Sequence, residues 1–157
     1  MSFAIRHELE IDAPAALVWR VITDLPAYPE WNPFVVACES SLDPGDPIRM
    51  RVHVFASFAQ AQRETILDHV PGERLCYGLE GGALGALTSR RCHRVTSAGP
   101  GQSRYESDFE LSGWLAPFVR ALLGSRLRRG FDSMAEALER RALALVSATG
   151  SPSESTP

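Results

Sequence analysis

The chain predicts an α+β domain in which a curved, seven-stranded antiparallel sheet wraps around one long C-terminal helix, with two short helices after the first strand. Three observations point there. Between Trp114 and about Ser147, residues Leu127, Phe131, Met134, Leu138, Ala142 and Leu145 recur at steps of three and four, which draws one apolar stripe down a helix. Most of the remaining chain alternates apolar and polar residues with a period of two, broken by glycine and proline. No second long helix is available to cover the stripe, so the helix must lie across the sheet. Upstream, Leu115, Phe118 and Leu122 begin a similar stripe, with Gly124 and Gly130 as weak points between the two. Continuous from Leu115 to Val146, the helix would be about 48 Å long at roughly 1.5 Å per residue.

Residues 3–11 place Ile5, His7, Leu9 and Ile11 on one face and Arg6, Glu8 and Glu10 on the other, the pattern of a half-buried strand. Asp12-Ala13-Pro14 then changes the period: Asp12 or Ala13 can cap, and proline suits a first helical turn. A helix over 14–24 buries Leu17, Val18, Val21 and Ile22, and Leu25-Pro26 ends it, because proline biases the preceding residue away from helical angles. The aromatic, proline-rich corner from Ala27 to Phe34 has room for a single short helical turn. Strands follow at about 34–42, 46–57, 60–70, 73–80, 86–97 and 102–112. Their punctuation is Asp43-Pro44-Gly45-Asp46-Pro47, Pro71-Gly72, Gly81-Gly82 and Gly99-Pro100-Gly101. Ile48, Met50, Val52 and Val54 alternate with Arg49, Arg51 and His53. Tyr105, Ser107, Phe109 and Leu111 alternate with Arg104, Glu106, Asp108 and Glu110. Both patterns describe an antiparallel meander with one protected face. One domain is expected over 1–147, and 148–157, rich in Ser, Pro, Glu and Thr, is expected to be a disordered tail. A curved sheet stands off from the helix it wraps, and Ala116, Ala121, Gly124 and Ser125 would widen the chamber between them.

At 157 residues the chain is long enough to bury about 68–70% of its unfolded surface without metals or disulfides. A net charge of −3 supplies no basic field for nucleic acid. Cys38, Cys76 and Cys92 are odd in number and widely spaced, with no C-x-x-C pair, so reduced thiols are expected. The N-terminus carries Arg6, His7 and Glu8 where a signal peptide needs its apolar run, and no apolar run nears the ~18 residues of a membrane span. A cytoplasmic protein without integral membrane association is expected, either monomer or homodimer. The histidines His7, His53, His69 and His93 show no metal-binding spacing, so neither metal nor cofactor is expected.

Ile11-Asp12-Ala13-Pro14, Val18-Trp19, Thr23-Asp24, Tyr28-Pro29 and Trp31-Asn32-Pro33-Phe34 resemble the opening of bacterial members of the START, polyketide cyclase and birch-pollen-allergen superfamily (SRPBCC). Phe109-Glu110-Leu111-Ser112-Gly113 and, within the helix, Gly130-Phe131-Asp132-Ser133-Met134 with Ala137-Leu138 resemble its C-terminal half, so the likeness spans residues 5–146. It implies the helix-grip fold, with a deep cavity for an apolar or amphipathic small molecule. Members include lipid carriers, coenzyme Q-binding proteins, aromatase/cyclases, oxygenase domains and activators of a chaperone ATPase.

Polar residues on the protected strand phase are the candidates for chemistry. Arg91 and His93 share a face with Leu87 and Val95, His7 falls inward on the first strand, and Tyr105 on the last. A buried arginine needs a partner, so Arg91 is placed to meet a ligand carboxylate or phenolate. The competing possibility is a one-residue slip at a bulge, which would put Cys92 inside and Arg91 in water. His93, with an ordinary pKa near neutrality, suits acid/base work, and Tyr105 completes the catalytic candidates. Trp31, Phe34, Met50, Val52, Val54, Phe109, Leu111, Trp114, Leu115, Phe118, Leu122 and Met134 are the expected apolar lining. Arg120, Arg126, Arg128 and Arg129 are expected on a solvated helix face, the alternative being attraction to an anionic lipid headgroup or membrane surface. The function expected is binding or transport of a small hydrophobic or amphipathic ligand such as a lipid, quinone or polyketide. The alternatives are a polyketide cyclase/dehydrase-type enzyme, and a regulator of a protein partner resembling the chaperone ATPase activators.

Overall fold

The computed structural model describes residues 2–149. The elements run β1 (Phe3–Ile11), α1 (Ala15–Thr23), a 3-10 turn (Leu25–Ala27), α2 (Tyr28–Trp31), β2 (Val35–Glu39), β3 (Pro47–Phe55) and β4 (Phe58–Val70). They continue with β5 (Arg74–Gly78), a second 3-10 turn (Ala83–Gly85), β6 (Thr88–Gly99), β7 (Gln102–Ser112) and α3 (Ala116–Thr149). All seven strands form one antiparallel sheet in the order β1-β7-β6-β5-β4-β3-β2, curled around α3. This is the α+β sheet wrapped around one long helix that the strand alternation and the apolar stripe predict, and the helix-grip fold that the resemblance implies. Pro14, rather than Asp12 or Ala13, holds the cap position of α1, its carbonyl accepting from the Leu17 and Val18 N–H groups. The prolines of the following corner permit two short turns instead of one. Asn32 then sets the entry to β2: its Oδ1 accepts the N–H groups of Phe34 at 3.0 Å and Val35 at 2.9 Å, fixing the Phe34 ring inward.

Helix α3 is continuous through Gly124 and Gly130; its 34 residues span about 51 Å. Ala148 and Thr149 continue it past the expected boundary at 147, and the rest of the expected tail, 150–157, lies outside the described residues. Its first turns are rotated from the expected phase. Ala116 is buried and Val119, Leu123 and Leu127 are half-buried, whereas Trp114, Phe118 and Leu122 face outward. The entry explains this. Gly113 has φ +106°, and a Cβ there would sit 2.5 Å from the Ala86 carbonyl oxygen, while the Leu115 N–H bonds that same oxygen at 3.0 Å. The helix therefore starts at Ala116, and Val119, Leu123 and Leu127 form a stripe as apolar as Leu115, Phe118 and Leu122.

Gly130 has a packing role. A Cβ at this position would lie 2.2 Å from a ring carbon of Phe34, which meets Phe131 edge-on at 4.9 Å. Gly130→Ala gains about 1 kcal/mol of helix propensity but overpacks a buried ring at a cost of about 1–3 kcal/mol. A net loss of about 1 kcal/mol is expected, measured as a lower urea midpoint at unchanged slope. A raised midpoint would mean that the Phe34 ring swings aside freely.

The cysteine expectation is corrected. Cys76 and Cys92 lie directly opposite on β5 and β6, Cα atoms 4.1 Å apart, and form a disulfide; Cys38 is free. Spacing along the chain gave no hint, because strand pairing, not local sequence, brings these two together. A disulfide suits an oxidising compartment and removes one of the two arguments for the cytoplasm, the one from reduced thiols. Among the described residues, no helix is long and apolar enough to cross a membrane.

Candidate functional site

Strand register places the inward residues in rows across the concave face. Tyr77 of β5 lies opposite Arg91 of β6, which lies opposite Phe109 of β7; one row over, Leu75, His93 and Ser107 follow. Arg91 therefore points inward and Cys92 outward, so the predicted phase holds and no bulge intervenes between them. Arg91, His93, Tyr77 and Tyr105 are all buried.

They form one network. Arg91 Nε donates to His93 Nε2 at 3.2 Å, and the Tyr77 hydroxyl lies 3.2 Å from the same nitrogen. Since a guanidinium can only donate, Nε2 must be the unprotonated nitrogen; His93 then carries its proton on Nδ1 and donates it to the Tyr105 hydroxyl at 2.8 Å. Burial, reinforced by the Arg91 charge, drives the His93 pKa well below 6.5. His93 is thus a neutral imidazole whose lone pair is already engaged, and it is not poised for proton transfer near neutrality. Burial likewise raises the Tyr77 and Tyr105 hydroxyls, which stay protonated.

Arg91 is incompletely satisfied. Its guanidinium carbon stands 4.1 Å over the Phe131 ring and Nη2 reaches Met134 Sδ at 3.5 Å, a weak acceptor. Nη1 is buried with no partner, and among the described residues no carboxylate pairs with Arg91. A buried, unpaired guanidinium N–H is costly unless something else accepts it. Glu64 of β4 is buried on the same inner face and accepts a hydrogen bond from Gln62. Burial raises the Glu64 pKa, with the Gln62 hydrogen bond and the Arg91 charge pulling the other way.

Arg91, Tyr77, Glu64 and Gln62 share a cavity with Phe34, Val35, Met50, Val52, Val54, Phe109, Leu127 and Phe131. Its volume is about 60 Å³, well below the ~300–1,000 Å³ of ordinary small-molecule pockets. The rings of Phe34, Phe109 and Phe131, in contact at 4.7–4.9 Å, occupy the space that the curvature opens. Among the described residues no three His, Cys, Asp or Glu side chains gather as a metal site.

Of the expected lining, Phe34, Met50, Val52, Val54, Arg91 and Phe109 border the cavity. Met134, His93 and Tyr105 lie buried behind Arg91, and Leu111 is buried in the core. Trp31 packs edge-on against Tyr28 at 5.1 Å, and Leu115 is half-buried beside the helix entry, so neither is in the lining. Trp114, Phe118 and Leu122 are corrected outright: the helix phase puts them in solvent. His7 does point toward α3, but its Nε2 is taken by Asp132 at 2.6 Å. Val35, Gln62, Glu64 and Tyr77 are cavity residues that the sequence did not single out, and Leu127 and Phe131 were placed on the helix stripe but not in the lining. Gln62 to Thr65 is polar on both phases, and β5 is buried along nearly its whole length, so neither strand displays an alternation to read.

A family model described as polyketide cyclase / dehydrase and lipid transport matches residues 2–139. Among solved structures, the Zhui aromatase/cyclase from Streptomyces sp. R1128 superposes with a TM-score of 0.77 at 17% identity, over 97% of this chain and 100% of that one. A START superfamily protein from Mycobacterium smegmatis gives 0.68 at 20%, over 90% and 98%. Norcoclaurine synthase from Thalictrum flavum, in complex with dopamine and hydroxybenzaldehyde, gives 0.66 at 21%, over 97% and 90%. At these identities the likeness is one of fold. No curated protein matches the sequence.

Proposed function

Because the chain belongs to the polyketide cyclase / dehydrase and lipid transport family, we propose that it binds a small, mostly apolar molecule bearing one anionic or carbonyl oxygen. That oxygen accepts from Arg91 Nη1, and the apolar body lies among Phe34, Phe109, Phe131 and Leu127. The observation that carries this is the buried, partnerless Nη1 of an arginine that borders the cavity. The aromatic rings that fill the chamber must turn aside to admit a ligand, so binding is coupled to rearrangement of Phe131 and Phe34. The test is native mass spectrometry of gently purified protein with extraction of whatever is retained. A co-purifying acid, phenol or quinone is expected. Protein that is empty and takes up neither acids nor phenols would overturn binding and leave regulation of a protein partner through the outer surface.

A second reading, the cyclase/dehydrase enzyme, is favoured by Glu64. Its carboxyl faces the same small space as Arg91. For a β-hydroxy ketone, the Glu64 carboxylate would take the α-proton while Arg91 holds the developing enolate oxygen. The same proton would return to the departing hydroxyl as water, leaving the double bond. Tyr77 and Tyr105 hold His93, and His93 holds Arg91, so these three position rather than react. Turnover of such a ketone, lost in Glu64→Gln while acid binding persists, separates the enzyme from the carrier.

A further inference from the structure

Antiparallel topology sends three connections to one end of the sheet: β3–β4, β5–β6 and β7–α3. Among the described residues, five of the six exposed large apolar side chains lie on these connections, at the first residue of β4 or on the first two turns of α3. They are Phe58 at 53%, Leu84 at 97%, Trp114 at 61%, Phe118 at 64% and Leu122 at 77%. Leu84 holds this position with φ +59°, a left-handed conformation that a leucine rarely adopts. Phe118 and Leu122 share the outward face of α3 with Trp114 just before it, as their spacing of four requires. Singly, exposed apolar residues need no explanation, but a rim of them at one end does.

The charge around this rim is segregated. The protein has a net charge of −3, yet the stretch from Gly113 to Phe131 contains Arg120, Arg126, Arg128 and Arg129 and no acid. The three connections add only Glu80. None of the four arginines has a carboxylate partner among the described residues. Arg120 and Arg128 lie over Phe3 at 6.0 and 5.9 Å, and Arg126 over Phe55 at 5.4 Å. Beside Phe3 are two open hollows of about 300 and 520 Å³, both bordered by Arg120 and the larger also by Arg128, Arg129 and Asp132, whose carboxylate is held by His7.

We propose that this end of the molecule docks reversibly on an anionic lipid surface. Trp114, Phe118 and Leu84 enter the boundary between headgroups and acyl chains, and the arginines meet phosphates. The separation along the helix suits this, since Arg126 and Arg129 lie about 12–17 Å along α3 from Phe118. A second copy of the chain fits the rim less well: a two-fold contact would set the four arginines against their own copies. The rim also lies over the end of α3 whose Leu127 borders the cavity, so a docked molecule would present its chamber to the lipid. Docking needs no ligand in the chamber, so it can fail or hold independently of the function proposed above.

The experiment is vesicle flotation of the full chain with phosphatidylcholine alone and with phosphatidylcholine doped with phosphatidylglycerol, with Trp114 emission recorded in parallel. Partitioning into the anionic vesicles is expected to exceed that into neutral ones by about ten-fold or more at low salt and to fall as salt screens the arginines. Trp114 emission is expected to shift to the blue. Trp114→Ser/Phe118→Ser and Arg126→Glu/Arg129→Glu change only exposed side chains, and each is expected to lose most of the binding while melting as the parent does. Equal partitioning into both vesicle types would overturn the proposal, as would binding retained in both variants. So would a concentration-dependent dimer, abolished by Trp114→Ser/Phe118→Ser, in protein that leaves vesicles alone.

Discussion

Arg91→Leu is expected to stabilise the protein while stripping it of its preference for acids. Taking a guanidinium out of water costs several kcal/mol, and Arg91 recovers that through neutral groups alone: His93, the Tyr105 hydroxyl, the Met134 sulfur and the face of Phe131. The ring contact returns about 2 kcal/mol. Leucine fills much of the same volume with nothing to desolvate, and His93 Nε2 keeps the Tyr77 hydroxyl. A gain of about 1–3 kcal/mol follows, or roughly 2–4 °C in Tm per kcal/mol for a domain of this length. In the same variant an acidic ligand should bind about 10–100-fold more weakly, the worth of a charge-assisted hydrogen bond, and a neutral analogue should be little affected. Arg91→Ala serves as the contrast, since it also leaves a void and should not gain stability. Lower stability in Arg91→Leu, with acid and neutral ligands losing equally, would make Arg91 a structural residue that does not read charge.

The second large effect is in the pH profile. His93 is neutral when folded and has its pKa depressed, so its contribution is fully present above the unfolded value near 6.5 and is lost as pH falls below it. Fully developed, one such group tilts stability by about 1.4 kcal/mol per pH unit. Glu64 works in the opposite sense. Its folded pKa is raised, so its contribution is present below the unfolded value near 4.5 and is lost as pH climbs through the folded one. Where the two windows overlap the slopes offset, and the parent protein should show a deceptively flat profile. Glu64→Gln should uncover the histidine slope and gain stability near neutral pH, with the gain gone below about pH 4.5. His93→Gln should remove the fall in stability on the acid side of pH 6.5. Chemical denaturation at closely spaced pH values checks both, and parallel curves for all three proteins would refute the burial argument for either group.

Legibility in the sequence followed chemistry. Wherever apolar and charged residues alternate, as in Ile48–Val54 or Tyr105–Leu111, the strand and its inward face could be read directly, and the inward phase of Arg91 and His93 followed from the same alternation. Where both phases carry one kind of residue, nothing could be read. Glu64 sits in a run polar on both sides, Tyr77 in a run buried on both, and the start of α3 offers two apolar stripes one residue apart. The chain entry at Gly113 decides between those stripes, and that depends on a carbonyl from a distant loop. The Cys76–Cys92 bond was hidden for a related reason, since its two halves meet only once β5 and β6 have paired. Family resemblance supplied the fold and an expectation of a chamber, but not how far the phenylalanines fill it.

Strand β1 pairs not with its sequence neighbours but with β7, Phe3 opposite Leu111 and Ile11 opposite Ser103. On a ribosome adding about 5–20 residues per second, its partner arrives roughly 5–20 s later. Through that interval Phe3, Ile5, Leu9 and Ile11 have no sheet to join, because β2 lies at the opposite edge. Closing so long a loop also comes late in folding, after the β2–β7 hairpins have had time to form. Arg6, Glu8 and Glu10, spaced between those apolar residues, then act as gatekeepers that keep the waiting strand from pairing with another nascent chain.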